Sequence, residues 1–306
     1  MDIGDIVVRK SYDKDITFKI IDIVESEEGA IYKLKGINLR IIADSRLEDL
    51  EIVDYEAFGE KDRAMNIKVS DSIKNILMDR WKGEGGYRSL SKVKKEIKDG
   101  KDSEKSLRAI KNIDMKEMTF GRPGKILHID GDPEYLNVCM KVYKQLAIDA
   151  VGKVVPEKNQ PDVVVDLVKT YKPDIVIITG HDAISKGTTN YTDLSNYKNS
   201  KYFVKAVSEL RNYESSYDDL VIFAGACQSC YEAILDAGAN FASSPYRVLI
   251  HCLDPVFVCE KVAYTNIEKV VSIQDALKNT ITGTKGVGGL QTRGKYREGF
   301  PKSQYI

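Results

Sequence analysis

Three regions with different hydrophobic patterns follow one another along the chain. In residues 1–55, short runs of β-branched residues, such as residues 6–8, are separated by turn-forming residues, such as residues 27–29. This pattern is typical of strands joined by turns. Similar runs cover residues 17–24, 30–35 and 40–43. Four or five short strands within about 50 residues predict a small SH3-like β-barrel.

The second region, residues 56–120, is crowded with Lys, Arg, Glu and Asp. Apolar residues recur in it at helical spacing, as in Ile73, Ile76 and Leu77, which predicts amphipathic helix. Runs of charge usually mark a solvated surface. We therefore expect a charged helical connector between two domains, solvated and in part flexible.

The third region, residues 121–306, alternates apolar runs with helical patterns. The apolar runs cover residues 125–130, 151–155, 174–179, 220–224 and 246–251. Nearly continuous apolar strands that alternate with helices indicate an α/β domain, whose mostly parallel sheet is flanked by helices on both faces. The last thirty residues are rich in glycine and basic residues, and they predict a loop and tail.

Composition excludes several classes of function. Lys and Arg together number 46, as do Asp and Glu, so the chain lacks the basic excess of a nucleic-acid-binding protein. No apolar run approaches the ~18 residues of a membrane span, and the acidic start predicts no secretory signal. Five cysteines among 306 residues predict a reducing compartment rather than a disulfide scaffold. With only three histidines, we expect no metal site and no cofactor.

Two chemically able side chains follow predicted strands. His181 comes soon after the apolar residues 175–178, and Cys227 soon after residues 221–224. Functional residues gather at the carboxyl ends of parallel strands, so both side chains share one crevice if the two strands are neighbours. A thiol becomes a strong nucleophile once it loses its proton, and an imidazole can accept that proton or protonate a leaving amine. The pair predicts a Cys/His dyad.

Other interpretations of Cys227 and His181 stay open. A cysteine after an apolar strand is most often a small buried hydrophobe, and a histidine at a strand end is often a hydrogen-bonded structural residue. Cys227-Gln228-Ser229-Cys230 also forms a C-x-x-C, the motif of thiol–disulfide oxidoreductases, although Trp81 is the only tryptophan and lies far away in sequence. We expect Cys230 to be a buried helix residue. A non-catalytic protein-binding assembly factor is the remaining alternative.

Residues 175–181 and 221–229 resemble the paired histidine and cysteine blocks of caspase-like cysteine peptidases, which legumain, separase, clostripain and gingipain share. Within that group nearly the whole chain resembles a family of sporulation-specific proteases. The resemblance implies a caspase-like peptidase domain in which Cys227 is the nucleophile and His181 the general acid/base. It further implies an endopeptidase of spore formation that cleaves coat and coat-assembly proteins after arginine. Such an enzyme would act in the cytoplasm of the mother cell or in association with the spore coat.

Caspase-like peptidases usually carry glycine after the catalytic histidine, and its main-chain N–H helps to bind the oxyanion. Asp182 stands there in this chain, so we expect the oxyanion to be held by the main-chain N–H groups of Cys227 and Asp182. Arginine recognition calls for a carboxylate near the crevice. Asp130 and Asp132 fit best because they end a predicted strand, with Asp182 next. Alternatively, Asp132 caps the helix that starts at Pro133.

Arginine-directed cleavage would also act on the chain itself. The connector and the residues just before it contain arginines that are expected to be exposed, and exposed flexible segments are preferred cleavage sites. These arginines are Arg46, Arg63, Arg80, Arg88 and Arg108. We therefore expect self-processing.

Overall fold

The structure, a computed structural model, describes residues 1–27, 29–53, 55–83, 119–303 and 305. The strands are β1 (Ile6–Arg9), β2 (Thr17–Ser26), β3 (Gly29–Gly36), β4 (Ile42–Arg46), β5 (Leu50–Ile52), β6 (Phe120–Arg122), β7 (Ile126–Asp130), β8 (Ala150–Val154), β9 (Ile175–Thr179), β10 (Val221–Ala224), β11 (Phe241–Ser243), β12 (Val270–Val271), β13 (Val287–Gly289), β14 (Thr292–Arg293) and β15 (Arg297–Gly299). The α-helices are α1 (Tyr55–Gly83), α2 (Pro133–Gln145), α3 (Gln160–Tyr171), α4 (Ser200–Tyr213), α5 (Tyr231–Asp236), α6 (Asp254–Ala263) and α7 (Ile273–Leu277). None of these helices, within the described ranges, has the length and apolar character needed to cross a bilayer.

The first five strands form an antiparallel sheet in the order β4-β3-β2-β1-β5. Its buried face is apolar, with Val7, Ile20 and Leu34 completely covered. The fourth strand starts at Ile42 and not at Arg40, because the Arg40 side chain leaves this sheet and enters the second domain. The five strands agree with the four or five that the sequence predicts, whereas the SH3-like assignment stays a prediction.

The central sheet has the order β13-β11-β10-β9-β7-β8. All neighbouring pairs are parallel except β11 with β13. Successive side chains of a strand point to opposite faces, so Ile175 and Ile177 enter one core while Val176 and Ile178 enter the other. The first core is covered by α2, α6 and α7, and the second by α3, α4 and α5. A mostly parallel sheet flanked by helices is thus confirmed, and the caspase-like assignment stays a prediction.

The strand predicted over residues 246–251 is wrong, because the strand of this part of the chain is β11, Phe241–Ser243. Positive φ angles at Ser244 and Arg247 turn the backbone away from the sheet direction. The main-chain groups that follow are used at the sheet's end instead: Val248 accepts a hydrogen bond from the Gln228 N–H. The apolar run therefore reflects burial beside the loop after β10, and not strand pairing.

The Gly-rich and basic tail is also corrected. Residues 287–289 form β13 and extend the central sheet. A Cβ on Gly289 would lie 2.3 Å from the Asn240 carbonyl oxygen, so glycine permits the close approach of this edge. The Lys295 side chain is buried and donates hydrogen bonds to the carbonyls of Asp218 and Asp219. The Lys295 side chain therefore ties the tail to the residues just before β10.

The C-terminal half of helix α1 corrects the prediction of a solvated connector, while the helical character of the residues in α1 agrees with it. Ile76 is buried in the first core of the central sheet, and Val69 and Ile73 pack against that core. The Arg80 guanidinium lies 2.7 Å from the Glu260 carboxylate and 3.2 Å from the centroid of the Tyr264 ring. The C-terminal half of α1 is therefore docked on the α/β domain. Residues 84–118, the rest of the predicted connector, lie outside the described residues.

We expect Arg80→Ala to destabilise the protein by about 3–5 kcal/mol, because it leaves the buried Glu260 carboxylate without its cation. The free energy of unfolding in urea measures this loss. Lys278→Ala is the matched control, since it removes the exposed ion pair to Asp79 on the same helix and should cost less than about 1 kcal/mol. Equal losses for the two variants would contradict the role given to Arg80.

Candidate active site

Two neighbouring strands bring the candidate dyad to one edge of the sheet. Strands β9 and β10 pair in parallel, with Ile178 opposite Ala224. His181 and Cys227 each lie three residues beyond this matched pair. The expectation that the two strands are neighbours is confirmed, and both residues leave the sheet at its carboxyl end.

The thiol of Cys227 is held among main-chain groups. Its side chain is 1% exposed, and the Ile250 N–H donates a hydrogen bond to Sγ at 3.1 Å. Burial raises the pKa of Cys227 to about 12, although the Ile250 N–H and the positive charge of Arg40 oppose the shift. In this conformation the thiol is therefore protonated at neutral pH.

The imidazole of His181 is oriented by a carboxylate. Its Nε2 lies 2.8 Å from Oδ2 of Asp132, and its main-chain N–H donates to the Glu157 carboxylate at 2.7 Å. Nδ1 is buried and has no hydrogen-bond partner among the residues that the structure describes. One ring nitrogen is thus fixed by a carboxylate, and the other is unpartnered among the described residues.

The Asp132 carboxylate has several hydrogen-bond and ion-pair partners. It caps α2 by accepting hydrogen bonds from the N–H groups of Glu134 and Tyr135, so the helix-cap alternative is confirmed. It also pairs with Lys35 at 2.9 Å. Burial alone would raise the pKa of Asp132, but the contacts with His181 and Lys35 lower it below its usual range. A carboxylate with this many partners orients His181, and its contacts weigh against the expected role in binding substrate arginine.

The Asp130 carboxylate already binds a guanidinium. It is fully buried, and Arg40 of the same chain approaches both of its oxygens, Nη1 to Oδ1 at 2.8 Å and Nη2 to Oδ2 at 2.6 Å. Thr179 donates to Oδ2 at 2.9 Å. Burial would raise the pKa of Asp130, but the Arg40 charge outweighs it and lowers the pKa. Nη1 donates a hydrogen bond to Oδ1, whereas Nη2 contacts Oδ2 as an ion pair without a hydrogen bond, so the carboxylate faces the guanidinium at two points through one hydrogen bond.

The side chain of Asp182 points away from the candidate oxyanion site. Its carboxylate accepts hydrogen bonds from Ser200 Oγ at 2.5 Å and Ser229 Oγ at 2.9 Å, and burial raises its pKa. Ser229 Oγ in turn accepts from the Ala226 N–H, so this network ties the His181 loop to the Cys227 loop. Within the described parts of the chain, the main-chain N–H groups of Asp182 and Cys227 have no acceptor.

The other cysteines are structural. All five are free and buried, and Cys230 lies at the N-cap of α5, just before the helix in which it was expected. Among the residues described, no group of three or more His, Cys, Asp or Glu side chains has the arrangement of a metal site.

Sequence reasoning missed Arg40, Lys35 and Tyr135, which all reach this site from outside the dyad. A signal existed for Arg40, because it is the one charged residue in the run Leu39-Arg40-Ile41-Ile42. A buried arginine needs a carboxylate partner, and Asp130 was available. The contacts of Lys35 and Tyr135 had no comparable local signal.

Comparison with known proteins identifies the family. The sequence model described as YabG peptidase U57 matches residues 2–301. The chain belongs to the YabG peptidase family. The curated Sporulation-specific protease YabG of Bacillus subtilis (strain 168) is 40% identical over 300 residues, which are 98% of this chain and 97% of the relative. Membership in the YabG family makes the chain a peptidase, and the name of its relative points to sporulation.

A similarity among solved structures adds nothing to this. A cobalamin-binding protein from Desulfitobacterium hafniense DCB-2 is 19% identical, covering 68% of this chain and 91% of that one, with a TM-score of 0.28. At that TM-score the similarity supports no conclusion about the fold or function of this YabG family member.

Proposed function

We propose that the chain is a cysteine endopeptidase of the caspase-like kind, with Cys227 as nucleophile and His181 as general acid/base. The observation that carries this proposal is the parallel pairing of β9 and β10, because its register brings both residues to the same sheet edge. Family membership supplies the reaction class, which is peptide hydrolysis. Asp132 holds the His181 ring through Nε2 and leaves Nδ1 to exchange protons.

The reaction proceeds through an acyl-enzyme. His181 takes the proton of the Cys227 thiol as Sγ attacks the scissile carbonyl carbon; the carbon–sulfur bond forms and the carbonyl opens to a tetrahedral oxyanion, whose collapse breaks the carbon–nitrogen bond. His181 gives its proton to the leaving amine and then takes one from water, which hydrolyses the thioester and restores the thiol. The N–H groups of Cys227 and Asp182 hold the oxyanion, and removing one such donor in other enzymes costs about 3–4 kcal/mol.

The substrates of the proposed enzyme are spore coat and coat-assembly proteins, cleaved after arginine in the mother cell of a sporulating bacterium. Asp130 binds the guanidinium of the substrate arginine, and its pairing with the Arg40 guanidinium supports this role. The name of the Bacillus subtilis relative supports the link to sporulation. An SH3-like N-terminal domain belongs to the same proposal.

Self-processing is part of the proposed function. Arg46 is exposed on β4 and remains a candidate, and so does Arg63 on α1. Arg80 is a poor candidate because its guanidinium is held by Glu260. Arg88 and Arg108 lie outside the described residues, and they stay candidates from the sequence alone.

The test compares two peptides that differ at one position, arginine in one and citrulline in the other. Citrulline keeps the shape of arginine and removes the charge. Loss of one partner of a desolvated charge pair costs about 2–5 kcal/mol, so we expect the arginine peptide to be cut more than tenfold faster. Mass spectrometry locates the cut, and the intact mass of the enzyme after the same incubation reports self-cleavage. Equal cutting of the two peptides would contradict the arginine specificity.

A further inference from the structure

The segment between β3 and β4, residues 37–41, lies against the candidate active site. Leu39 forms an isolated antiparallel bridge with His251. The Arg40 N–H donates to the Ile250 carbonyl at 3.4 Å. Ile250 is also the residue whose N–H contacts Cys227 Sγ. The backbone of this segment therefore pairs with the chain beside the nucleophile, which is how an extended peptide binds to an exposed edge.

The side chain of Arg40 completes the likeness to a bound substrate. It leaves the backbone at the residue that bonds to Ile250 and reaches the carboxyl ends of β7 and β9, where Asp130 accepts a hydrogen bond from Nη1 and forms an ion pair with Nη2. Nη1 also lies 3.4 Å from the Gly180 carbonyl, and the guanidinium lies 5.1 Å from the centroid of the Tyr135 ring. Arg40 is 1% exposed. The Arg40 side chain therefore fills the pocket that ends at Asp130.

Further contacts hold the segment in place. The Tyr135 hydroxyl lies 2.7 Å from the Gly36 carbonyl oxygen and 2.9 Å from that of Leu39, and its one hydrogen is donated to this pair of acceptors. The Ile41 N–H donates to the Leu39 carbonyl at 2.9 Å, which closes a three-residue turn around Arg40. Because of this turn, the Arg40–Ile41 peptide is not extended, whereas the backbone of a bound substrate would stay extended past its arginine. The segment has the binding features of a substrate without the geometry of a cleavable one.

We propose that residues 37–41 are an internal occupant of the substrate cleft, with Arg40 filling the pocket that takes the arginine of a substrate. The inference rests on the proposed function, because it takes the cleft to be where peptides bind. With the segment seated, Cys227 is 1% exposed, and Leu39 and Arg40 occupy the main chain of His251 and Ile250 beside it, so no peptide can pair there. The observed rate of cleavage is then the rate of the open enzyme multiplied by the fraction of molecules in which the segment has left.

Arg40→Ala tests the proposal in the full chain. We expect iodoacetamide to alkylate Cys227 at least tenfold faster than in the wild type, as measured by peptide mass spectrometry. The value of kcat/KM for an arginine peptide should rise by a similar factor. Arg9→Ala is the matched control, since it removes an arginine that pairs with Asp49 in the same N-terminal sheet. Both quantities should stay at wild-type values in the control.

Agmatine, a free guanidinium compound, probes the emptied pocket. It should raise the melting temperature of Arg40→Ala and leave that of the wild type unchanged, because only the variant has an unfilled pocket at Asp130. If Arg40→Ala does not fold, Tyr135→Phe takes its place. That variant keeps the ring and the Arg40–Asp130 pair but loses the hydroxyl that contacts the Gly36 and Leu39 carbonyls, so alkylation of Cys227 should be several-fold faster.

The outcomes separate the two proposals. Unchanged alkylation of Cys227 in Tyr135→Phe, and in Arg40→Ala if it folds, would overturn the internal occupant, even if the wild type cuts peptides through Cys227. The lack of an agmatine effect on a folded Arg40→Ala would overturn the pocket assignment. Faster alkylation together with no Cys227-dependent cutting in any variant would support the cover over Cys227 and overturn the peptidase mechanism.

Discussion

Replacing Cys227 by alanine is expected to lower peptide cleavage by about 10⁴-fold or more, to the level of an enzyme that has lost its nucleophile. In the proposed mechanism Cys227 is the group that forms the acyl-enzyme, and His181 only moves protons. Folding should be almost unaffected, because alanine fills most of the small buried site of the thiol. Initial rates on an arginine peptide and thermal unfolding of the same samples measure the two effects.

Cys230→Ala is the matched control for this prediction. Cys230 is equally buried and belongs to the same C-x-x-C, but it lies at the N-cap of α5. A peptidase loses activity only with Cys227→Ala, whereas a thiol–disulfide oxidoreductase loses it with either variant. A protein that acts only by binding others would tolerate both. Wild-type cutting by Cys227→Ala would end the peptidase mechanism.

Asp132→Asn is expected to lower kcat by about 10²- to 10⁴-fold with a much smaller change in KM. Asn no longer stabilises the protonated imidazole and favours the wrong tautomer of His181, an effect of about 10⁴-fold in a serine protease triad. The helix cap survives, because Asn and Asp cap helices about equally well. Steady-state kinetics on an arginine peptide separate the change in kcat from the change in KM.

The control for Asp132→Asn is Glu134→Gln. Glu134 also pairs with Lys35, at 2.6 Å, but its side chain is 68% exposed and it makes no contact with His181. Gln removes the same charge at nearly the same place, and kcat should stay within about twofold because an exposed ion pair contributes little. If the two variants lose kcat equally, Asp132 acts only through local charge, and its role in positioning His181 is wrong.

The parts of the fold that the sequence predicted well are those whose signal is local. A strand buried on both faces is an uninterrupted apolar run, so residues 174–179 and 220–224 predicted β9 and β10 to within one residue. Where such a run stops, the strand ends, and this is why His181 and Cys227 could be placed at the sheet's edge. The same logic failed at residues 246–251, because an apolar run reports burial and not hydrogen-bonded pairing.

Features that depend on distant parts of the chain could not be predicted from local pattern. Arg40 and Asp130 are 90 residues apart in sequence. The local pattern placed Arg40 within an expected strand and Asp130 in a substrate pocket, and neither placement indicated that the two side chains pair. Asp132 likewise showed its capping role in the sequence, since Pro133 follows it, but the contact with His181, 49 residues away, depends on the pairing of β7 with β9.

The docking of α1 also bears on what a cut in the chain would do. Its C-terminal half is anchored by Ile76 in the first core and by Arg80 on Glu260, and the N-terminal sheet is joined to the α/β domain through Arg40 and Lys35. Cleavage after Arg88 or Arg108 would break the covalent link without breaking any of these contacts. The product would be a two-chain protein that stays assembled, and release of its N-terminal fragment would need a second event that separates α1 and the N-terminal sheet from the α/β domain.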